Sequence, residues 1–539
     1  NWTSPWKKGE GPGKFSLLVG GKKLASPLGT EGTAWMWQVA GKVSVKNLRT
    51  VVKLHDLTGF DGRCDAIYFT TEEGRIPPSD MKHLEAFRRK ALGFPDEAPL
   101  AGQYDLVVVG AGIAGMSAAV SAARLGCKVA LINDRPVIGG NNSSEIRVHL
   151  GGRIEEGVYK ELGGLQKEFG PEKGGNAQPA ENYEDQKKLD WLANEKNVTL
   201  FLNYRAIGVT KDGNKITSVT ARHIESGKEQ KFEAPLFSDC TGDGTIGYLA
   251  GADFRMGREA KSEFGESIAP EKADKMTMGS SVQWYSVDNG RSSSFPDFSY
   301  GVEFNDKNCE KVLMGEWTWE TGMNLDQIKD FERIRDYGML VVYSNWSYLK
   351  NQMKENTQYR NRKLGWVAYV AGKRESRRLM GDYILKEDDI TKNVTHEDAS
   401  FATTWSIDLH WQDPANSAHF PGNEFKAVTK HILIHPYPVP YRCLYSRNID
   451  NLFMAGRNIS VTHVALGTVR VMRTTGMMGE VVGMAVSLCK KYGVEPRKVY
   501  QSYLEELKML MKEGVNKKGL PNNQRYNEGG ILKEKPVVK

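Results

Sequence analysis

Residues 105–136, DLVVVGAGIAGMSAAVSAARLGCKVALINDRP, constrain the fold more than any other stretch of the chain. DLVVVG is the continuous apolar run of a strand buried on both faces. MSAAVSAARLG is a small-residue helix ending at Gly126, and KVALIN reads as a second strand. Between the first strand and the helix, Gly110, Gly112 and Gly115 form G-x-G-x-x-G. Gly110 permits a tight turn, Gly112 lets backbone approach a pyrophosphate, and Gly115 lets the helix pack closely on the strand. The helix N-terminus then offers N–H groups and partial positive charge to phosphates. The unit, which begins at Tyr104, is predicted to bind a dinucleotide. Its second strand ends on Asn133-Asp134 instead of a single acid. Asn133 can bond a ribose hydroxyl, Asp134 can do so after a small shift, and Arg135 alone would suit a 2′-phosphate.

Three further segments follow in order: DRPVIGGNNSSEIRVHLGG, FSDCTGDGTIGYLAGA and NLFMAGRNISVTHVALGTVRVMRTTGMMGEVVGMA. With GKRESRRLMGDYIL, they closely resemble the FAD-dependent oxidoreductase family of the glutathione-reductase-like superfamily, in the bacterial form with an attached β-sandwich. The resemblance covers residues 104–489. It implies FAD as the cofactor, held extended by parts of the chain far apart in sequence. By the same resemblance, Gly139, Gly140, Asn141 and Ser144 would run beneath the ribityl chain and ring. The backbone at Ala206 would meet adenine, and Thr241, Gly242 and Asp243 would lie near the pyrophosphate. Gly456 and Arg457 would lie near the ribityl chain, although wider relatives often place Asp after that glycine. A helix beginning near Thr475, with Met477 in its first turn, would aim its N-terminus at the pyrimidine edge of the flavin. Negative charge develops there on reduction, and a helix dipole favours it. A nicotinamide-linked disulfide reductase should carry a second glycine fingerprint and a CxxC pair, and the chain has neither.

Flavin carries hydride chemistry, so the protein must position a substrate and handle a proton. Arg374, Arg377 and Arg378 would share one helical face beside Glu375, as a clamp for a carboxylate or a polyhydroxyl compound. The competing reading is a salt-bridged helix start. His463, just before the flavin helix and upstream of Arg470, is a candidate proton carrier. A second candidate is His435, in a proline-stiffened loop with Tyr437, Tyr441 and Arg442. His149 follows the cofactor strip and reads equally well as structural. His410, Trp411 and His419 occupy a polar, aromatic segment suited to a substrate loop. Seven of the twelve tryptophans fall between residues 251 and 440. Most suit a core, and the rest could stack on sugars. The expected reaction is hydride transfer between flavin N5 and a small polar substrate, including a sugar or sugar acid. His463 or His435 would move the proton, and Arg377 or Arg378 would fix the substrate, with Arg374 and Tyr441 nearby. Oxidase and dehydrogenase are not distinguished, and the electron acceptor and oligomeric state are unspecified. The other reading is a carbohydrate-binding protein that retains FAD without turnover.

At 539 residues the chain has room for two to four domains around cores that need no disulfide or metal. Its net charge of +7, without a basic block, speaks against nucleic acid as a partner. Six scattered cysteines show no zinc spacing, so no metal and no disulfide framework are expected. No run of about 18 apolar residues is present, so no membrane span is expected. The chain opens on Asn1, as a processed or trimmed protein would. A bacterial periplasmic or secreted setting is favoured over the cytoplasm. The fold class is α/β: an FAD-binding, Rossmann-like domain of glutathione-reductase type, with a mixed α+β substrate domain and a small N-terminal β-rich segment. The expected divisions are a sandwich-like segment at 1–74, a helix and linker at 75–103, and FAD-binding parts at 104–250 and 441–490. The substrate domain takes 251–440, and a C-terminal helix and tail take 491–539.

Overall fold

A computed structural model describes residues 13–31, 35–57, 64–298 and 301–522. They form two compact units, divided after Glu97, with Pro296–Phe304 belonging to the first.

In the first unit, strand Phe15–Val19 pairs antiparallel with Lys22–Lys23 and with Val52–Asp56. Gly20 and Gly21, both at positive φ, make the tight turn between the first two. Phe15, Leu17, Val19, Leu24 and Leu28 form the buried cluster. Val52–Asp56 is exposed along its whole length, and residues 64–71, CDAIYFTT, form no strand with any of the described residues. Among the described residues the expected sandwich is therefore one three-stranded sheet, since no second sheet covers it. The predicted helix is present at Met81–Ala91, capped by Asp80, whose carboxylate accepts from the His83 N–H at 3.1 Å.

The second unit is organised by a five-stranded parallel sheet. Its strands are β1 (Leu106–Val109), β2 (Val129–Ile132), β3 (Val198–Phe201), β4 (Leu236–Asp239) and β5 (Leu452–Met454). The spatial order is β5-β4-β1-β2-β3. The order reverses between β1 and β4, so the crevice beyond their C-terminal ends is where a ligand belongs. Helix α1 (Ile113–Arg124) follows β1, and α2 (Met472–Tyr492) packs directly on it. Glycines make that contact possible. A Cβ on Gly479 would lie 2.1 Å from the Ala114 carbonyl oxygen, and one on Gly483 would lie 2.5 Å from Ser121 Cβ.

A second sheet joins Leu100–Gln103 to the meander Tyr204–Asp212, Lys215–His223 and Glu229–Glu233. Beyond residue 251 come small antiparallel ladders, including Ile407–Gln412 with Ala427–Ile432, and the long helix Phe331–Asn351. The change in composition at 251 is not a break in packing. Leu379, Phe401, Ile407 and Leu409 belong to the same buried cluster as β1 to β5. The expected C-terminal helix is two, Pro496–Ser502 and Leu504–Glu513, and the tail beyond 522 lies outside the described residues. All six cysteines are free. Among the described residues no helix is long and apolar enough to cross a membrane.

Candidate active site

A cavity of about 890 Å³ opens at the β1/β4 switch point and continues into the region of residues 281–475. Its nucleotide end is made largely of backbone. Gly110, at φ +102°, would place a Cβ 2.3 Å from the Cys240 carbonyl oxygen, and Gly115 would place one 1.8 Å from that of Gly110. Both are glycine because the chain crosses itself there. Gly112 differs: the nearest atom to its missing Cβ is Gly140 Cα at 3.9 Å, so it keeps cavity space open. Asn133 is not a sugar reader. Its Oδ1 accepts from the Ala111 N–H at 3.1 Å, and its Nδ2 donates to the carbonyls of Arg135 and Val137 at 3.0 and 2.9 Å. That amide ties the glycine loop to β2 and leaves the exposed Asp134, in the cavity wall, to meet a ribose. Arg135 is neutralised by Glu145, which it grips through Nε at 3.0 Å and Nη2 at 2.6 Å.

Deeper at the same end, Asp243 gathers the cations. Its carboxylate takes Lys373 Nζ at 2.6 Å, Arg457 Nη2 at 2.8 Å and the Ser376 hydroxyl at 2.8 Å. Burial would raise the Asp243 carboxyl, but Lys373 and Arg457 override it and hold it well below the usual carboxylate range. Arg377 stacks over Tyr248 at 3.8 Å in the same wall. Thr241, Gly242, Gly456, Ala206, Gly140 and Asn141 also line it. Ser144 does not: its N–H donates to Asp185, while its neighbours Ser143 and Glu145 reach the wall. Helix α2 starts at Met472, a turn earlier than expected, so Val471, Met472 and Thr475 face the cavity and Met477 is buried in the core.

The far end is made of side chains from three distant segments. Alternation along Ile407–Gln412 puts Asp408 and His410 on one face, with His431 opposite Asp408 in the ladder. Arg470 Nη2 donates to Asp408 Oδ2 at 2.9 Å and lies 3.1 Å from His410 Nε2. Asp408 Oδ1 lies 3.1 Å from His410 Nε2, and Trp405 Nε1 donates to Oδ2 at 3.2 Å. On its other side, His410 Nδ1 bonds the wholly buried Glu320. Arg374 Nε lies 3.3 Å from Glu320, and its Nη atoms donate to Ser281 Oγ at 2.9 Å and the Trp317 carbonyl at 2.6 Å. Burial would raise both acids. Arg470 and His410 instead hold Asp408 well below the ordinary range, and Arg374 and His410 lower Glu320. Trp317, 37% exposed, and Trp405 complete the wall.

Several predicted residues lie elsewhere. Residues 374–377 are extended chain between two short strands, not a helix, so successive side chains diverge instead of forming one clamp. Arg378 is fully buried among Glu259, Glu375 and the carbonyls of Gly257 and Val461. His463 is buried with it, its Nδ1 3.0 Å from Glu375. Neither lines the cavity, nor do His435 and Tyr441. The Tyr441 hydroxyl donates to the Pro496 carbonyl at 2.9 Å, Tyr437 donates to that of Val394, and Arg442 pairs with Asp398. His149 is in the wall, its Nδ1 3.0 Å from Asn176 Oδ1, whereas Trp411 packs on the core and His419 is away from the cavity. Trp284, Trp319 and Trp346 pack edge to face in the interior. Asp408 and Glu320 are among the residues that sequence reasoning missed, with Lys373, Gln283 and His431. The D-x-H alternation of a strand was the signal for Asp408, while nothing local marks Glu320.

Residues 105–510 match the family model for the FAD dependent oxidoreductases, well over half of the chain. The chain belongs to the FAD-dependent oxidoreductase family. This FAD-dependent oxidoreductase is therefore an enzyme with FAD as its cofactor, and the expectation of a sugar-binding protein without turnover finds no support. No curated protein matches it significantly. Among solved structures it is similar to the myxobacterial chondrochloren halogenase, an FAD-dependent halogenase, at 12% identity over 75% of this chain and 79% of that one, TM-score 0.32. It is also similar to a Bacillus halodurans glycerol-3-phosphate dehydrogenase complexed with FAD, at 15% identity and TM-score 0.24 over 38% of this chain. A third is the flavin-dependent monooxygenase PieE in complex with FAD and substrate, at 12% identity and TM-score 0.22 over 36% of this chain. The oxidoreductase spans less than half the length of these last two, 43% and 36%.

The cavity fits FAD. Gly112 leaves room where a pyrophosphate would pass, Asp134 is available to a ribose, and among the described residues Arg457 Nε is buried in the wall without a hydrogen-bond partner.

Proposed function

We propose that this FAD-dependent oxidoreductase moves a hydride between the flavin and a small polar substrate, including carbohydrate-derived ones, bound at the far end of the cavity. We also propose that it belongs to the bacterial branch of the glutathione-reductase-like superfamily; its glycine loop and strand order support the superfamily. One observation carries the reading: a single cavity runs from the glycine loop to the Asp408–His410–Glu320 network. Bound FAD supplies the two-electron chemistry. The chain's own residues do the rest. Asp134, Arg457, Lys373 and Arg377 would hold the nucleotide, and the N-terminus of α2, where Val471, Met472 and Thr475 line the cavity, would offer it partial positive charge. His410 is the proton carrier at that end. Glu320 fixes its Nδ1, which leaves Nε2 on the side of Asp408 and Arg470.

Anaerobic mixing of the yellow holoprotein with a panel of polyols, sugars and sugar acids tests the reading. Bleaching of the flavin band by at least one member is expected. Failure of every member to reduce it, together with failure of any acceptor to reoxidise the photoreduced form, overturns it.

A further inference from the structure

The far end holds six charged or titratable side chains, and their pairing restricts what they can bind. Two are carboxylates, Asp408 and Glu320, and two are guanidiniums, Arg470 and Arg374. His410 bridges the two pairs, and His431 Nε2 lies 3.5 Å from Asp408 Oδ1. Arg374 has all three nitrogens committed, to Glu320, to Ser281 and the Gly279 carbonyl, and to the Trp317 carbonyl. Arg470 commits its Nη2, the nitrogen common to both of its donor forks, to the carboxylate and the carbonyl of Asp408, and its Nε is buried without a partner among the described residues. A substrate carboxylate thus finds no free guanidinium fork, and it meets the ionised Asp408 at close range.

Neutral recognition is well provided for. Gln283, almost wholly buried in the wall, keeps its Nε2 donor without a partner among the described residues, while its Oε1 accepts from the Ala177 N–H. Trp317 exposes an indole surface to the cavity, and its ring stands 5.5 Å from that of His410, edge to face. A flat apolar platform beside paired polar groups suits a ring with one C–H face and a rim of hydroxyls.

We infer that the far end selects a neutral polyhydroxylated ring, a pyranoside, over the corresponding sugar acid, with Asp408 as the specificity-determining residue. The inference rests on the proposed substrate site and narrows it. Of the two ligand types expected of an arginine clamp, a carboxylate or a polyhydroxyl compound, it keeps only the second. Asp408 both repels an incoming carboxylate and occupies the one arginine that could receive it.

The test is titration calorimetry of the FAD-loaded protein with the methyl glycosides of glucose, galactose and mannose and with their uronic acid counterparts. At least one neutral glycoside is expected to bind about tenfold or more tightly than its acid. Asp408→Asn, which uncovers Arg470, is expected to move that ratio toward the acid by about tenfold or more. Trp317→Ala, at a partly exposed position, is expected to weaken the neutral glycoside while FAD content is unchanged. Equal or tighter binding of the acid by the unaltered protein overturns the inference, and so does the absence of binding by every neutral glycoside. If a different polar compound then still bleaches the flavin, the proposed function stands and only the substrate class falls. If the protein takes up no FAD, both fall.

Discussion

The two ends of the cavity are built in opposite ways. The nucleotide end is a backbone construction, in which glycines cross other chain segments at distances no side chain tolerates and an asparagine amide pins the loop. The far end is a side-chain construction, in which acids and bases from residues 320, 374, 408–410 and 470 neutralise one another. Backbone geometry serves a ligand part that never changes. Paired side chains can be exchanged singly, so they are where a family with one cofactor can vary its substrate.

That contrast can be broken most sharply at Gly112. Gly112→Val adds bulk where only cavity lies, so the fold should survive while FAD affinity falls by at least about a thousandfold. Flavin content and the melting temperature of the flavin-free protein read the two effects separately. At the far end, His410→Gln should leave flavin content unchanged and lower kcat by about a hundredfold, with the pH profile of kcat altered. A smaller pair of effects separates Asn133 from Asp134. Asp134→Ala should weaken FAD by about tenfold with the apo-protein's melting unchanged. Asn133→Ala should instead lower the melting temperature, because three backbone groups lose their partner.

The smallest effect lies behind both ends, at Glu480 on α2. Its carboxyl is wholly buried and accepts from the N–H groups of Gly163 and Leu165 at 3.1 and 3.2 Å. Burial dominates these bonds and pushes its pKa up to about 8. The unfolded chain ionises this group at ordinary carboxylate values, so it binds fewer protons than the native state above them. The stability it contributes is fully present at acidic pH, declines as pH rises, and is lost through pH 8. Melting temperature should therefore fall from pH 5 to pH 9 with a slope that is reduced in Glu480→Gln, whatever that variant's absolute stability.

The same contrast explains what the sequence revealed. The glycine loop, β1, α1 and β2 were legible because their constraints are local: a run of apolar residues, a fixed glycine spacing and a strand end. The helix assigned to residues 374–378 was not, because i, i+3 and i+4 spacing of arginines is equally compatible with an extended strip whose side chains part company. Arg378 and His463 read as catalytic because they are charged near a flavin motif. Their burial with Glu259 and Glu375 makes them a brace between two wall-bearing segments instead. His410 was legible as part of a polar, aromatic segment, but its partner Glu320 lies ninety residues away and only folding brings them together. The chain's greatest sequence contrast, the tryptophan-rich stretch after residue 251, proved to share one core with the nucleotide fold. A change in composition marks a change of task there, not a boundary in packing.

The most direct test of the central claim, that one cavity carries FAD from the glycine loop toward the Asp408–His410 network, is titration of FAD into the flavin-free protein followed by visible absorbance. Saturation at one FAD per chain is predicted, with no uptake by Gly112→Val at the same concentrations. A protein that stays colourless in excess FAD, or a Gly112→Val variant that takes it up as readily as the parent, contradicts it.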